Sequence, residues 1–338
     1  MKIAFFGTWE FSKNILKSLI DDFSKDISIK LVISQPDKII WRKKILTKTQ
    51  TKILAEKYNI EVLQPEDLKY NKITEKLKNL DLDFIVVVAY GKMIPKEILE
   101  IPKYWCINIH WSILPKYRWA SPIQESIKSG DIKTGITIMY MSEKMDEWDI
   151  LSTKQVEIQK NDKTEDIFKK FEQIWSELLV NTLKKVIKNE IIPKKQNEKY
   201  VTYCHKIKKT DWEINFTKLE AEEIYNKFRA YSIWPWIYTY YKWKKFIIEN
   251  CCLEYHLNKG LQPLVHKKSN ELQFLAHKEN KGLQSLVHIG KVVKIDKKVW
   301  IFCKSWILIL KKIKLEWKKS MNILDFVNWK KEFLNSKL

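Results

Sequence analysis

A chain can reverse direction tightly only where some residue tolerates a positive φ, and glycine alone does so without steric cost. This sequence of 338 residues holds 7 glycines beside 15 tryptophans. Average usage of ~7% would supply roughly 24 glycines, so the turns of any fold built here fall to residues poorly suited to them. Together the two types number 22, close to that average glycine count, by coincidence or by a common cause.

The length suits two domains, and a hydrophobic content of 45% is ample for a core, which excludes a disordered or collagen-like chain. No run approaches the about 18 uninterrupted apolar residues of a membrane span. The opening Met1–Phe11 has no basic stretch ahead of a long apolar core, so no signal peptide is expected and a cytoplasmic setting follows. Five cysteines (Cys106, Cys204, Cys251, Cys252, Cys303), odd in number and without a C-x-x-C pair, suggest reduced buried thiols rather than disulfides or structural zinc.

Short apolar runs at Met1–Phe6, Ile29–Ser34, Phe84–Ala89, Cys106–His110 and Gly135–Met141 alternate with helical patterns at Thr47–Tyr58, Asp67–Leu77, Pro122–Ser129 and Thr164–Lys188. That alternation predicts an α/β domain over residues 1–188, Rossmann-like and with a mostly parallel sheet. The polar stretch 189–204, with Pro193, reads as a linker. From His205 the texture becomes β-rich, predicting a smaller β-barrel over 205–338.

The formal net charge is +21, of which +14 falls on residues 205–338, so the β-rich part is expected to face a polyanion. Within it, an 11-residue period (GLQPLVHKKSN, ELQFLAHKENK, GLQSLVH) brings His266, His277 and His288 at equal spacing. No acidic or cysteine co-ligands accompany them, so a duplicated surface insertion at about 256–289 is the reading, with no metal site.

Asn108 and His110 lie two apart on a predicted strand and project to the same face, near a strand end where α/β enzymes gather ligands. An amide beside an imidazole can hold a developing oxyanion, and Asp146, after the next strand, could orient the histidine or take a proton. Asn-x-His alone is weak evidence, since a lone histidine is more often structural.

The wider pattern is more specific: Asn108-x-His110-x-Ser112-x-Leu114-Pro115-x-Tyr117-Arg118, then Met145-Asp146-Glu147-x-Asp149-Ile150-Leu151. It resembles the signature of the folate-dependent formyltransferases, and among them the methionyl-tRNA formyltransferases. The opening FFGT-x-EFS, SQPDK at Ser34–Lys38, LQPEDLK at Leu63–Lys69 and VVVAYGKMIP at Val86–Pro95 are similar to that family's catalytic domain. The Arg229–Thr239 stretch and the KKSM at Lys318–Met321 are similar to its C-terminal barrel.

The resemblance implies formyl transfer from 10-formyltetrahydrofolate to the α-amine of initiator methionyl-tRNA, by a monomer without metal or membrane partner. It assigns catalysis to Asn108, His110 and Asp146, with Asp149 equally suited to a turn or cap. The folate-contacting segment is Ser112, Ile113, Leu114 and Pro115, with the backbone of Ala89, Tyr90 and Gly91 beside it. Arg42, with Lys43 and Lys44, falls in the loop that meets the tRNA acceptor end. The three arginines, Arg42, Arg118 and Arg229, all lie in motif segments of a chain that otherwise relies on lysine, which fits planar bidentate contacts that lysine cannot make.

Against that family pattern, Trp41, Trp105, Trp111, Trp119, Trp148, Trp212, Trp236, Trp243, Trp306, Trp317 and Trp329 stand where glycine is usual, with Trp9 a weaker case. Indoles at 111, 119 and 148 are expected to crowd the folate pocket. One explanation is UGA codons written as tryptophan in a chain whose cell inserts glycine; the other is a drifted, inactive tRNA-binding protein. A third reading keeps the chemistry but moves it to a sugar-nucleotide amine, for which the basic β-domain has no use.

Overall fold

The computed structural model describes residues 1–40, 45–69, 71–254, 289–295, 297–303 and 307–338. Trp41 and the basic Arg42, Lys43 and Lys44, the repeats with their three histidines, and the Ser305-Trp306 turn lie outside the described residues. The chain forms two compact units: residues 1–123, 132–158 and 166–206, and residues 124–131, 159–165 and 207–338.

The first unit is built on seven strands: β1 (Lys2–Gly7), β2 (Ser28–Ile33), β3 (Val62–Leu63), β4 (Phe84–Val88), β5 (Cys106–His110), β6 (Lys133–Tyr140) and β7 (Ile150–Glu157). They lie in the order β7-β6-β5-β4-β1-β2-β3. The β5-β4-β1-β2-β3 pairings are parallel, and β6 and β7 join antiparallel at one edge. The expected mostly parallel α/β sheet is what forms.

Alternation along each strand explains the layering. Ala4 and Phe6, Leu31 and Ile33, and Ile85 and Val87 share one face with Leu77, Leu82, Ile94 and Ile98 in a single buried cluster. Burying each large side chain stabilises by about 1.5–3 kcal/mol. Helix α1 (Glu10–Asp21) turns Ile15, Leu16 and Leu19 inward at the helical spacing.

The long helix expected over Thr164–Lys188 is two helices, α2 (Thr164–Glu172) and α3 (Trp175–Ile187). Buried Ile167, Phe171, Trp175, Leu179 and Leu183 keep a spacing of four throughout, so the apolar pattern runs across the break. The backbone does not: the Ile174 amide bonds to the Phe171 carbonyl at 2.9 Å, a tighter turn that ends α2.

The second unit carries helix α4 (Ala221–Ala230) and antiparallel strands β8 (Tyr238–Tyr241), β9 (Lys244–Glu254), β10 (Val292–Ile295), β11 (Lys298–Phe302), β12 (Ile307–Leu315) and β13 (Met321–Asn322). Their order is β8-β9-β12-β11-β10, with β13 on β12, and the sheet curls as a half-barrel. Arg229 on α4 is buried and donates to the carbonyl of Asp162 at 2.9 Å and to Asn226 Oδ1 at 2.5 Å. Its fork braces this unit internally.

The glycine shortage leaves a direct mark on the backbone. Among the described residues, fourteen non-glycine residues have positive φ, and five are tryptophan: Trp105 (95°), Trp119 (80°), Trp236 (71°), Trp243 (66°) and Trp317 (63°). Lys242-Trp243 joins β8 to β9 with both residues left-handed, the two-residue hairpin turn that favours Asn-Gly. Trp317 sits third in a turn closed by the Lys318 amide on the Leu315 carbonyl at 2.9 Å, a place where a positive φ calls for glycine.

A left-handed non-glycine residue costs about 1–2 kcal/mol, while glycine loses roughly 0.5–1 kcal/mol through chain entropy. Trp243 and Trp317 are 96% and 91% exposed, so their removal forfeits almost no burial. Trp243→Gly and Trp317→Gly are each expected to raise the melting temperature by a few degrees in a thermal scan. An unchanged or lowered value would contradict the strain.

Candidate active site

Asn108 and His110 occupy the carboxyl-terminal half of β5 and face the same side of the sheet, with Asn108 half-buried and His110 buried. The ring is held from two sides. His110 Nε2 lies 2.8 Å from the Tyr117 carbonyl and Nδ1 lies 3.6 Å from Asp146 Oδ2. A carbonyl can only accept, so Nε2 carries a proton in this arrangement, and only the doubly protonated ring could donate to Asp146 as well. At 3.6 Å the Asp146 contact is an ion-pair distance, longer than a hydrogen bond.

Asp146 itself is left-handed, at φ 58°, and its Oδ2 accepts the Trp119 amide at 2.8 Å. Its carboxylate therefore links the β5 histidine to the segment after Tyr117. Asp149 contributes its backbone carbonyl, which accepts the Tyr140 amide at 3.2 Å as β6 ends.

The turn bearing Asp146 is held from outside the motif. Gln196 Nε2 donates to the carbonyls of both Asp146 and Trp148 at 2.8 Å. Gln196 Oε1 in turn accepts from Arg118 Nε at 3.1 Å, and Arg118 forks onto Glu198 with Nη2 at 2.7 Å and Nη1 at 3.4 Å. Arg118 is fully buried. The Arg118 amide bonds to the Thr202 carbonyl at 2.9 Å, and Tyr203-Cys204 pairs in parallel with Arg118-Trp119. The 196–204 stretch is thus laced onto the Tyr117–Trp119 segment and the Asp146 turn.

Sequence reading singled out Arg118 for a planar contact but missed Gln196 and Glu198. They sit in a polar stretch with no periodicity, and the only available signal was one buried-type arginine needing a partner.

The folate-contacting segment expected from the sequence follows β5 directly. Thr137 on β6 pins it, donating to the Ser112 carbonyl at 2.7 Å and accepting the Leu114 amide at 3.2 Å. Ser112 Oγ donates to the Lys116 carbonyl at 2.6 Å, and Pro115 accepts the Thr202 amide at 3.4 Å. Ile113 packs over Gly135, where a Cβ would stand 2.5 Å from the Lys154 carbonyl and 3.0 Å from Ile113 Cγ1. That close approach admits glycine alone.

Beyond β4 the chain turns through Ala89 (φ 45°), Tyr90 and Gly91 (φ 78°). The Tyr90 carbonyl accepts Gln35 Nε2 at 2.6 Å and Thr8 Oγ1 at 3.2 Å, which ties this turn to the two motifs nearer the amino terminus. The Tyr90 hydroxyl is buried without a partner among the described residues, and burial pushes it up to about 12. Burial likewise pushes the Cys106 thiol on β5 up, leaving it a packing residue and not a nucleophile. Asp37 feels burial raising it, but hydrogen bonds from Gln64, Lys52 and the Thr49 amide outweigh this and hold it below the ordinary carboxylate range.

The three tryptophans near the site each rest on aromatic neighbours. Trp111 lies among Phe11, Phe171 and Trp175, with centroids 5.7–6.0 Å away. Trp119 meets Tyr203 at 4.5 Å and Trp148 meets Trp105 at 6.1 Å. An open depression of about 630 Å³ beside Asp146 is lined by Trp119, Ala120, Lys144, Met145, Glu147, Cys204, His205 and Lys206.

The chain belongs to the formyl transferase family. Residues 1–183 match the formyl transferase model and residues 206–331 match its C-terminal domain. The methionyl-tRNA formyltransferase of Caldicellulosiruptor saccharolyticus is 41% identical over 97% of this chain and 96% of its own length. That of Bacillus cereus is 43% identical over 71% and 75% respectively. Among solved structures, the N-formyltransferase of Helicobacter canadensis, in complex with folinic acid and dTDP-3-aminofucose, shares the fold at TM-score 0.58 and 18% identity. It covers 92% of this chain and 98% of its own. HypX of Aquifex aeolicus, in complex with tetrahydrofolic acid, shares it at TM-score 0.59 and 13% identity over 100% of this chain and 48% of its own.

Gln196→Leu removes one donor from two carbonyls and one acceptor from a buried guanidinium, an expected cost of about 1–3 kcal/mol. The midpoint of urea unfolding should fall accordingly, and an unchanged midpoint would mean that water replaces these bonds freely.

Proposed function

We propose that this protein transfers the formyl group of 10-formyltetrahydrofolate to the α-amine of initiator methionyl-tRNA, as a cytoplasmic monomer serving translation initiation. The observation that carries the acceptor is 41% identity to a methionyl-tRNA formyltransferase across nearly the whole of both chains. The basic second unit and the lysines at the rim of the depression beside Asp146 suit a polyanion.

The donor supplies an electrophilic formyl carbon and a nitrogen leaving group. The residues present fit it: the pinned Ser112–Pro115 segment and the Ala89–Gly91 turn border β5 and β4 at their carboxyl ends, with Ile113 and Leu114 offering apolar contact.

During transfer the amine forms a C–N bond to the formyl carbon, the bond to the folate nitrogen breaks, and one proton passes from the amine to that nitrogen. Negative charge grows on the formyl oxygen. The Asn108 amide and the His110 ring are the donors that meet it. His110 Nε2–H is bonded to the Tyr117 carbonyl in the resting arrangement, so it must leave that carbonyl for the formyl oxygen. Asp146, on the opposite nitrogen, orients the ring, and water beside it carries the proton from the amine. Arg42, Lys43 and Lys44 meet the acceptor end of the tRNA.

The sugar-nucleotide reading has the structural neighbours in its favour, but at 18% identity they share only the fold. In a chain with glycine at 111, 119 and 148, formyl-methionyl-tRNA should form, with binding that weakens steeply with salt. Asn108→Ala and His110→Ala should each lower kcat by ~10²–10³. Binding of tRNA without turnover would favour the inactive RNA-binding protein. Formylation of an amino-sugar nucleotide alone would favour the other acceptor.

A further inference from the structure

We infer that the residues written as Trp105, Trp119, Trp236, Trp243 and Trp317 are glycine in the protein that the cell makes, because the backbone at each is one that only glycine adopts freely. All five are left-handed, between φ 63° and 95°. Among the described residues, the other nine non-glycine residues in that region are three Asn, two Asp, Ala, Tyr, Ser and Lys, and Asn and Asp are the types that tolerate it. For a bulky aromatic residue a positive φ is an outlier once; the same residue type five times is a pattern.

The five left-handed tryptophans also differ in burial from Trp175 and Trp300. Trp175 and Trp300 are buried at 3% and 8% exposure. The five left-handed ones range from 37% to 96% exposed. Trp105 and Trp236 donate their indole N–H to the Met141 and Ser232 carbonyls at 3.3 and 2.7 Å, so the inference rests on the backbone angles and not on idle side chains.

Random drift would scatter many residue types over these turns. A single codon explains one replacement type, and UGA is the codon whose meaning varies among stop, tryptophan and glycine in bacterial codes. Written as tryptophan and decoded as glycine, it converts the surplus and the deficit in composition into one quantity.

The consequence reaches the active site. The bond from residue 119 to Asp146 is made by its backbone amide, so glycine keeps it. The indole is what disappears from the depression beside Asp146, clearing the side on which the acceptor would approach. The clearing rests on the proposed function; the residue identity does not.

The test is peptide mass spectrometry on the protein isolated from its own cells, read with the gene's codons. Glycine at 105, 119, 236, 243 and 317 with UGA at each, and tryptophan at 175 and 300 with UGG, is the expected result. Tryptophan at the five positions would overturn the inference, and so would UGA at 175 and 300 with tryptophan found there. Neither outcome depends on whether the protein is active.

Discussion

The carboxylate of Asp146 does two jobs at once, and the site depends on both. It faces the buried His110 ring from one side and accepts the Trp119 amide from the other. A left-handed backbone at Asp146, which aspartate tolerates better than most residues, aims it there, and the turn around it is held by further bonds. Gln196 supplies that support by holding the carbonyls on either side of Glu147. Behind Gln196 stands the buried Arg118 with its fork on Glu198, so a chain of hydrogen bonds runs from the 196–204 stretch to the histidine.

This chain of support rests on the sheet. β4 and β5 end side by side in the parallel part, which puts the Ala89–Gly91 turn next to Asn108 and His110. The carboxyl ends of such strands are where ligands gather in open α/β folds. The antiparallel β6 then returns along β5, so that Thr137 sits opposite His110 and pins the segment after it. The Asn108 amide, the His110 imidazole and the Ser112–Pro115 segment are thereby fixed by one strand and its two neighbours.

Much of this was legible before any coordinates. Apolar runs at the right lengths located β1, β2, β4, β5 and β6, and the spacing of two put Asn108 and His110 on one face. What stayed hidden has physical reasons. The break between α2 and α3 is masked by apolar residues that keep their spacing of four across it. Gln196 and Glu198 act through long-range hydrogen bonds, which leave no periodic trace. The bond between His110 and the Tyr117 carbonyl is set by loop geometry, so the resting histidine is more occupied than its sequence role suggested. The tryptophans were legible as misplaced, and the backbone angles supply the reason at five of them.

If the Asp146 turn is the element on which the site is organised, Gln196 acts on catalysis only through it. A double-mutant cycle on kcat with Asp146→Asn and Gln196→Leu, in the chain carrying glycine at the strained positions, measures this directly. Each single variant should slow turnover with little change in folate KM, and the double variant should be no slower than Asp146→Asn alone. Independent, multiplying losses would contradict the account and give Gln196 a role apart from Asp146.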